Sequence, residues 1–417
     1  MEQRTLLPEY MKSFQCIGGD CEDTCCSGWA VTIDKKTYKN YQKVQDLELK
    51  NKLKNSMRRV KEADFKSDEI YARFLMGQNN CCNMLTEDKW CQIQKELGEE
   101  ALSVTCASYP RNLNKLDQIY ELSARVSCPE VARLALLEPK GIDFEELDFE
   151  LSEALPFYKT QHTSSTALGQ YFWSIRMLGI EIIQNRTLSV SDRIVSLGVF
   201  VHALQNNIDQ SNGAGLGEII DYYRVKLSNT EYLEWISSIN SNLDVQLQVI
   251  YEITKYRINM GIASERYLQT VEEMLVGLGQ ESNKLDIKLF KESYVKNYQL
   301  FYSPYFEEKS YILENYIVNL LFNTLFPNLN KNSVDLYGEF VSITVIYAML
   351  RVHLVGVAGK NKGLDDNLVI RTIQSFAKMI EHNEHYIKTV INELKANNHI
   401  SLAHMTMLVK DMNESIN

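Results

Sequence analysis

All nine cysteines of this 417-residue chain fall between positions 16 and 128, and the 289 residues that follow contain none. The seven histidines are distributed the other way, the first being His162. The chain is thus divided into a cysteine-rich part and a cysteine-free part. Three readings of the set Cys16, Cys21, Cys25, Cys26, Cys81, Cys82, Cys91, Cys106 and Cys128 compete. Disulfides need an oxidising compartment. The start, Met1 to Glu9, has no basic segment followed by an apolar core, so no secretory signal is read there. Scattered cysteines can act as small buried hydrophobes, but random placement would rarely produce Cys-x4-Cys-x3-Cys-Cys within eleven residues. Metal ligation by thiolates is the third reading and the one the clustering favours.

The donor set then bears on which metal. Structural zinc is usually held by two Cys-x2–4-Cys pairs, often with histidine. This region has no histidine, and the adjacent Cys25 and Cys26 are awkward around one small ion. A cluster of several irons accepts neighbouring thiolates at different corners, and all-cysteine ligation is the rule for [4Fe–4S]. Sulfur-only ligation therefore favours iron–sulfur, with zinc as the alternative.

Composition removes other classes. Lys and Arg number 44 against 54 Asp and Glu, for a net charge of −10, split into −5 in residues 1–150 and −5 in the remainder. A nucleic-acid reader needs a basic face to displace counterions, so no nucleic-acid partner is expected. Seven prolines and 19 glycines are too few for a disordered or linker-rich chain. The longest apolar stretch, Phe340 to Ala358, is interrupted by Arg351 and His353, and its unbroken part is too short to cross a bilayer. A buried core helix, no membrane insertion and a cytoplasmic location are expected.

Several stretches carry a family likeness. They are Leu6-Leu-Pro-Glu-Tyr-Met-Lys-Ser-Phe-Gln-Cys16, Cys21-Glu-Asp-Thr-Cys-Cys-Ser-Gly-Trp29, Cys82-Asn-Met-Leu85, Trp90-Cys-Gln-Ile93, Glu96-Leu-Gly-Glu-Glu100, Cys106-Ala-Ser-Tyr-Pro-Arg111 and Ser127-Cys-Pro-Glu130. Together they resemble the flagellin lysine-N-methylase family, part of a wider group of cysteine-cluster proteins named for a CxxCxxCC motif. The likeness covers about 130 residues, and residues 150–417 carry no matching motif. It implies methyl transfer from S-adenosylmethionine to lysine ε-amines of flagellin, and a [4Fe–4S] cluster held within the cysteine region. The ligand set it implies is Cys16, Cys21, Cys25, Cys26, Cys82, Cys91, Cys106 and Cys128. Cys81 then stands outside as a packing residue. Eight thiols exceed the four that one [4Fe–4S] cluster needs, so either two centres exist or surplus thiols surround one. Arg111 and Glu130, within the same motifs, are the groups expected near the cofactor. The chain departs from the family at Cys82-Asn-Met-Leu85, where Cys-Pro-Phe-Leu is usual, and so loses a fixed φ at that turn. The wider group implies an alternative: a non-catalytic zinc- or iron-chelating interaction protein with a structural metal site.

Methyl transfer requires a neutral lysine amine, which the site must desolvate or deprotonate. Tyrosines and carboxylates could serve, and the chain has 23 tyrosines. None is singled out, so the catalytic residue is unknown. A dinucleotide-type binder would show a strand, a glycine-rich turn and a helix. Gly213-Ala-Gly-Leu-Gly217 follows a loop, and Gly356-Val-Ala-Gly359 reads as the stop of an apolar helix. His382 and His385, at i, i+3 spacing, would share a helix face if one helix carries both. A solvated face is the plain interpretation of the pair.

The fold class read from these patterns is mainly α: a cysteine-rich cluster-binding domain over 1–140, then an irregular helical bundle over 156–417. The acidic stretch from Pro139 to Pro156 is the expected boundary. Apolar residues beyond 150 recur with the helical period, as in Leu168, Tyr171, Phe172, Ile175, Leu178, Ile182 and Ile183. Ser191-Asp192, Ser264-Glu265 and Asp365-Asp366 read as helix starts, and Pro327 as a stop. Trp29–Ile33 is the best short strand, and convincing alternating strands are otherwise nearly absent.

Overall fold

Short polar side chains at the starts of apolar runs become helix caps. Asp335 accepts a hydrogen bond from the Gly338 N–H (2.7 Å) and opens Leu336–Asn361. Asp365 accepts from Leu368 N–H (2.7 Å) and opens Asp366–Ile380, as expected. Each satisfies one of the donors that a helix start leaves without an internal partner. At Val190–Ser211 the cap is Ser189, two residues before the expected Ser191. Ser264 precedes Glu265–Gly277 and accepts from Tyr267 N–H (3.3 Å). Leu325, with φ of 60°, closes Tyr311–Thr324 just before Pro327. The protein is mainly helical.

The computed structural model describes residues 2–28, 31–61, 67–77, 80–150, 157–163, 166–240, 242–261, 264–280, 286–329 and 335–412. The chain forms two compact units. The first comprises Met1–Ala132, Phe144–Thr160 and Ile262–Leu268, and so holds every cysteine; the second comprises Arg133–Asp143, Gln161–Gly261 and Gln269–Asn417.

In the second unit, Leu336–Asn361 is the helix long and apolar enough to cross a membrane among the described residues, and 94% of its apolar window is buried within the protein. The two interrupting polar residues both find hydrogen-bond partners there. Arg351 donates to Val409 O (2.6 Å), Leu408 O (3.3 Å) and Asp411 Oδ1 (3.2 Å), while His353 Nδ1 meets Met349 O at 2.8 Å. The apolar run is a core helix, as its sequence suggested. It does not stop at Gly356–Gly359, however. It continues to Asn361 and ends at Lys362, with φ of 56°. The two glycines permit close crossings instead: a Cβ on Gly356 would lie 2.6 Å from Met274 O, and one on Gly359 only 2.0 Å from Asn297 Nδ2. The run opened by Asp365 is also two helices. Asn383 caps the second, Glu384–Ala396, leaving His382 in the turn and His385 on the helix, both exposed. The pair shares no helix face.

The first unit departs most from the sequence reading. Its strands are β1 (Glu2–Pro8), β2 (Thr32–Ile33), β3 (Met57–Arg59), β4 (Ala72–Phe74), β5 (Arg111–Leu116), β6 (Ile119–Ala124), β7 (Phe144–Glu150) and β8 (Phe157–Gln161). They form a five-stranded sheet in the order β7-β1-β6-β5-β8 and a small sheet in the order β2-β4-β3. The large sheet was hidden because its buried positions include Thr5, Asn112, Asn114, Glu121 and Ser123, so the apolar alternation that marks a strand is missing. The acidic stretch read as a boundary contains β7, which pairs antiparallel with β1, Leu147 lying opposite Thr5. Lys12 meets Glu145 at 2.9 Å, and Arg4 pairs with Glu146. Of Trp29–Ile33, Thr32–Ile33 is a strand, while Trp29 and Ala30 lie outside the described residues. A core of Val31, Ile33, Tyr41, Leu49, Leu53, Ala72, Phe74, Met84 and Ile93 backs the small sheet. The buried Cys82 belongs to it, and Cys26, Cys91 and Cys106 pack at its margin.

Candidate metal centre

Four short segments bring thiols to this core. The loop carrying Cys25 and Cys26 is zipped to the segment 80–82: Gly28 N–H donates to Asn80 O (3.2 Å) and Cys82 N–H to Cys26 O (2.7 Å). An isolated bridge pairs Leu85 with Cys91, and Gln92 N–H donates to Met84 O (2.8 Å), folding the third segment back on the second. Cys91 is the N-cap position of Gln92–Leu97. Cys106 lies on the turn of helix Val104–Ser108, which is capped by Ser103. The result is that Cys25, Cys26, Cys82, Cys91 and Cys106 line one cavity of about 50 Å³ with Val31, Phe74, Met84, Ile93, Leu102, Tyr41 and Tyr109. One water needs roughly 10–15 Å³, so this space admits more than a single small guest.

All nine cysteines are free thiols. The electrostatics of the cavity oppose charging most of them while no cation is present. Burial, with repulsion from neighbouring thiols, pushes Cys82 up to about 11 and Cys106 up to about 12. Cys26 is hydrogen bonded to Cys25 and Cys91 and holds its proton more tightly than an ordinary thiol. Cys91 is the exception: the hydrogen bond from Cys26, with backbone N–H groups of Gln94 and Ile93, favours its thiolate. A thiolate at a helix start is the expected recipient of such N–H groups.

Cys16, Cys21 and Cys128 do not line this cavity. They form a second neighbourhood: burial raises Cys128 to about 12, and the nearby charges of Cys21 and Cys16 push the same way. N–H groups of Val131 and Glu130, in the first turn of Pro129–Leu136, face the Cys128 sulfur and partly offset that rise. Cys81, half-buried, is outside the cavity and pairs through its backbone with Ser27. Arg111 starts β5 with its guanidinium 5.0 Å from the centre of the Phe14 ring, and neither it nor Glu130 lines the thiol cavity. Among the described residues, no three Cys, His, Asp or Glu side chains converge closely enough to hold a single metal ion. Two tyrosines of the cavity wall, Tyr41 and Tyr109, escaped the sequence reading. Burial raises both phenols well above their usual range. Tyr109 stands in the Cys106–Arg111 motif, three residues from a cysteine, which was the available signal, whereas no local pattern marks Tyr41, which reaches the thiols through the fold.

Residues 176–408 match the model of the FliB lysine N-methylase C-terminal domain. The chain belongs to the FliB lysine N-methylase family. The match falls on the helical part of the chain, where no motif had been recognised. The chain is 24% identical over 412 residues to a lysine-N-methylase of Salmonella choleraesuis (strain SC-B67), covering 95% of this chain and 98% of that one. A lysine-N-methylase of Salmonella typhimurium (strain LT2) is 23% identical over the same coverage. The flagellar biosynthetic protein FliU of Salmonella muenchen is 33% identical over 139 residues, or 33% of this chain and 80% of that one. No solved structure matches the chain.

Proposed function

We propose that this FliB-family chain is an S-adenosylmethionine-dependent lysine N-methyltransferase that acts on flagellin and carries an iron–sulfur cluster in its thiol cavity. The family and the names of its full-length relatives support lysine methylation. The flagellar name of the third relative supports a flagellar substrate. The observation that carries the cluster is the convergence of five thiols from four separate segments on one largely apolar cavity. An all-sulfur donor set spread round a wall suits a group of several atoms better than one ion.

Cys25, Cys26, Cys82, Cys91 and Cys106 would hold the group, with Cys16, Cys21 and Cys128 as the further thiols of the expected set. Held by these residues, such a cluster would supply a metal site for the amino and carboxylate groups of S-adenosylmethionine. The chain's own contribution is to keep the thiols together and partly dry, and to relieve their mutual repulsion only when a cation arrives. Ligation displaces thiol protons, so loading is favoured at higher pH. Methyl transfer moves the sulfonium methyl to a neutral lysine nitrogen, and the substrate ammonium loses its proton beforehand. Residues 212–215 join the helices Val190–Ser211 and Leu216–Lys226, and Gly217 lies in the second, so this glycine run is not a strand-to-helix nucleotide loop.

The test is anaerobic purification with iron, sulfide and zinc analysis, followed by incubation with labelled S-adenosylmethionine and flagellin. Iron with matching sulfide, and label on flagellin lysines, are the expected results. Cys26→Ser should lose metal and methylation together. A folded Cys26→Ser protein that lacks metal yet methylates at the normal rate would make the cluster a bystander. Zinc without label transfer would favour the metal-binding interaction protein.

A further inference from the structure

The thiols of the cavity and those of the Cys16–Cys21 loop are carried by separate segments, and one side chain bridges the two. Trp90 immediately precedes Cys91, and its indole lies on the backbone of Gly18 and Gly19, midway between Cys16 and Cys21. The fit is tight. A Cβ on Gly18 would sit 2.3 Å from the indole Cη2, and one on Gly19 would sit 2.6 Å from Nε1. Only residues without a side chain allow this approach. The glycine side is fixed by a short turn in which Asp20 N–H donates to Ile17 O and Cys21 N–H to Gly18 O, both at 3.2 Å.

The tryptophan side is fixed as firmly. Thr86 N–H donates to Trp90 O (2.9 Å), and Trp90 N–H donates to Thr86 Oγ1 (3.1 Å). Lys89 N–H closes the turn on Thr86 O (3.0 Å), and Lys95 Nζ braces it through Asp88 Oδ2 at 2.7 Å. This closed turn leads directly from the indole to Cys91, which lines the cavity. A large aromatic left 38% exposed beside a cysteine would be a poor choice for core filling alone. Its bulk is spent on joining two loops that otherwise have little regular structure.

We infer that Trp90 is a positioning residue for the metal group: seated on Gly18 and Gly19, it holds the Cys16–Cys21 loop in register with Cys91. This rests on the cluster reading given above. The role is not ligation, since indole offers no lone pair to a metal. It is geometric, because a thiol set supplied by several loops binds a multi-atom group only if the loops arrive already spaced.

The experiment compares wild type, Trp90→Ala, Trp90→Phe, Gly19→Ala and the Trp90→Ala/Gly19→Ala double variant after anaerobic purification. Iron and acid-labile sulfide per chain, visible absorption and far-UV circular dichroism are measured. Gly19 is chosen over Gly18 because its φ is not positive, so alanine adds bulk without backbone strain. The expected result is at least a threefold loss of iron and sulfide in Trp90→Ala and in Gly19→Ala, with unchanged helical signal. Trp90→Phe should recover more than half of the lost metal, and the double variant should be no worse than Trp90→Ala. Wild-type loading in either single alanine variant overturns the inference, as does metal loss accompanied by loss of the helical signal. If wild type itself binds neither iron nor zinc, the cluster reading has failed, which is a different result from a loaded wild type with indifferent variants.

Discussion

The two units bury polar groups in opposite ways. In the helical unit three interior charges are matched by carboxylates of the chain itself. Arg193 meets Glu314 at 2.6 Å, and both side chains are nearly inaccessible; Lys410 meets Asp192 at 2.5 Å; Arg351 is ringed by carbonyls and Asp411. In the cysteine unit, buried thiols face one another across a cavity, and their neighbours raise rather than lower the cost of charging them. Those three charges meet their partners on folding. The crowding of the thiols is relieved only by something the chain does not contain. The helical unit thus reads as a finished scaffold, and the cysteine unit as a receptacle.

The largest effect that would sharpen this contrast comes from breaking a matched charge. Glu314→Ala leaves Arg193 buried with two carbonyl contacts, Leu188 O (2.8 Å) and Ile183 O (3.1 Å), but no counter-charge. Orphaning one member of a buried pair costs about 3–5 kcal/mol. Arg186, which donates to both oxygens of the same carboxylate, is more exposed and loses little by returning to water. Urea unfolding should show the loss, while iron content under native conditions stays at the wild-type level. A parallel fall in iron content would mean that the contrast drawn between the units is wrong.

A second and smaller contrast is in pH dependence. His353 is fully buried, and burial depresses it to about 4 from an ordinary 6.5. The unfolded chain therefore takes up a proton first as the medium is acidified, and stability is lost as pH falls from about 6.5 through 4, by at most about 3 kcal/mol. The thiols behave in the reverse sense. With folded values near 11–12 against an ordinary 9.0, Cys82, Cys106 and Cys128 contribute stability in the metal-free protein that is intact below about 9 and is lost as pH rises towards 12. Unfolding of the metal-free protein between pH 4 and 11 should show both limbs. His353→Gln should flatten the acid one, and iron loading should suppress the alkaline one. An alkaline limb unchanged by iron would argue that the raised thiols are not the ligands.

How much of this was legible in the sequence depends on how far apart the cooperating residues lie. Caps at Asp365 and Ser264, the stop at Pro327 and the core helix through Arg351 and His353 are local patterns and were readable. The break at Glu381–Asn383 was not, because the apolar period continues across it. The five-stranded sheet was hidden by buried Asn112, Asn114 and Glu121, polar residues that imitate a surface strand or a loop. The clustering of cysteines was plain. Which of them share a cavity was not, since it follows from the pairing of residues 26–28 with 80–82, set by contacts more than fifty residues apart. The family match likewise lies in the helical part, where residue types follow the demands of packing and leave no chemical signature.

The smallest predicted effect tests whether the scaffold is as tightly finished as the charges suggest. Gly277 ends the helix Glu265–Gly277, and a Cβ there would lie 1.8 Å from Gly356 O and 2.8 Å from Lys360 N. Both neighbours are backbone of the central helix, so no rotamer change can make room, and the crossing must open. Overpacking of this kind costs about 1–3 kcal/mol, and alanine returns up to about 1 kcal/mol through helix propensity. The helix end can yield somewhat, so Gly277→Ala should destabilise by about 1–2 kcal/mol, which at roughly 2–4 °C per kcal/mol is a small but measurable fall in Tm. Gly356→Ala meets Met274 O at 2.6 Å in the same crossing. Its cost should therefore not add to that of Gly277→Ala, because a crossing opened once accommodates both methyl groups. Full additivity would place the two glycines in separate contacts, and a neutral Gly277→Ala would show a scaffold with slack where the structure has none. Iron content should be unchanged in every one of these variants, the opposite of what is expected of Trp90→Ala.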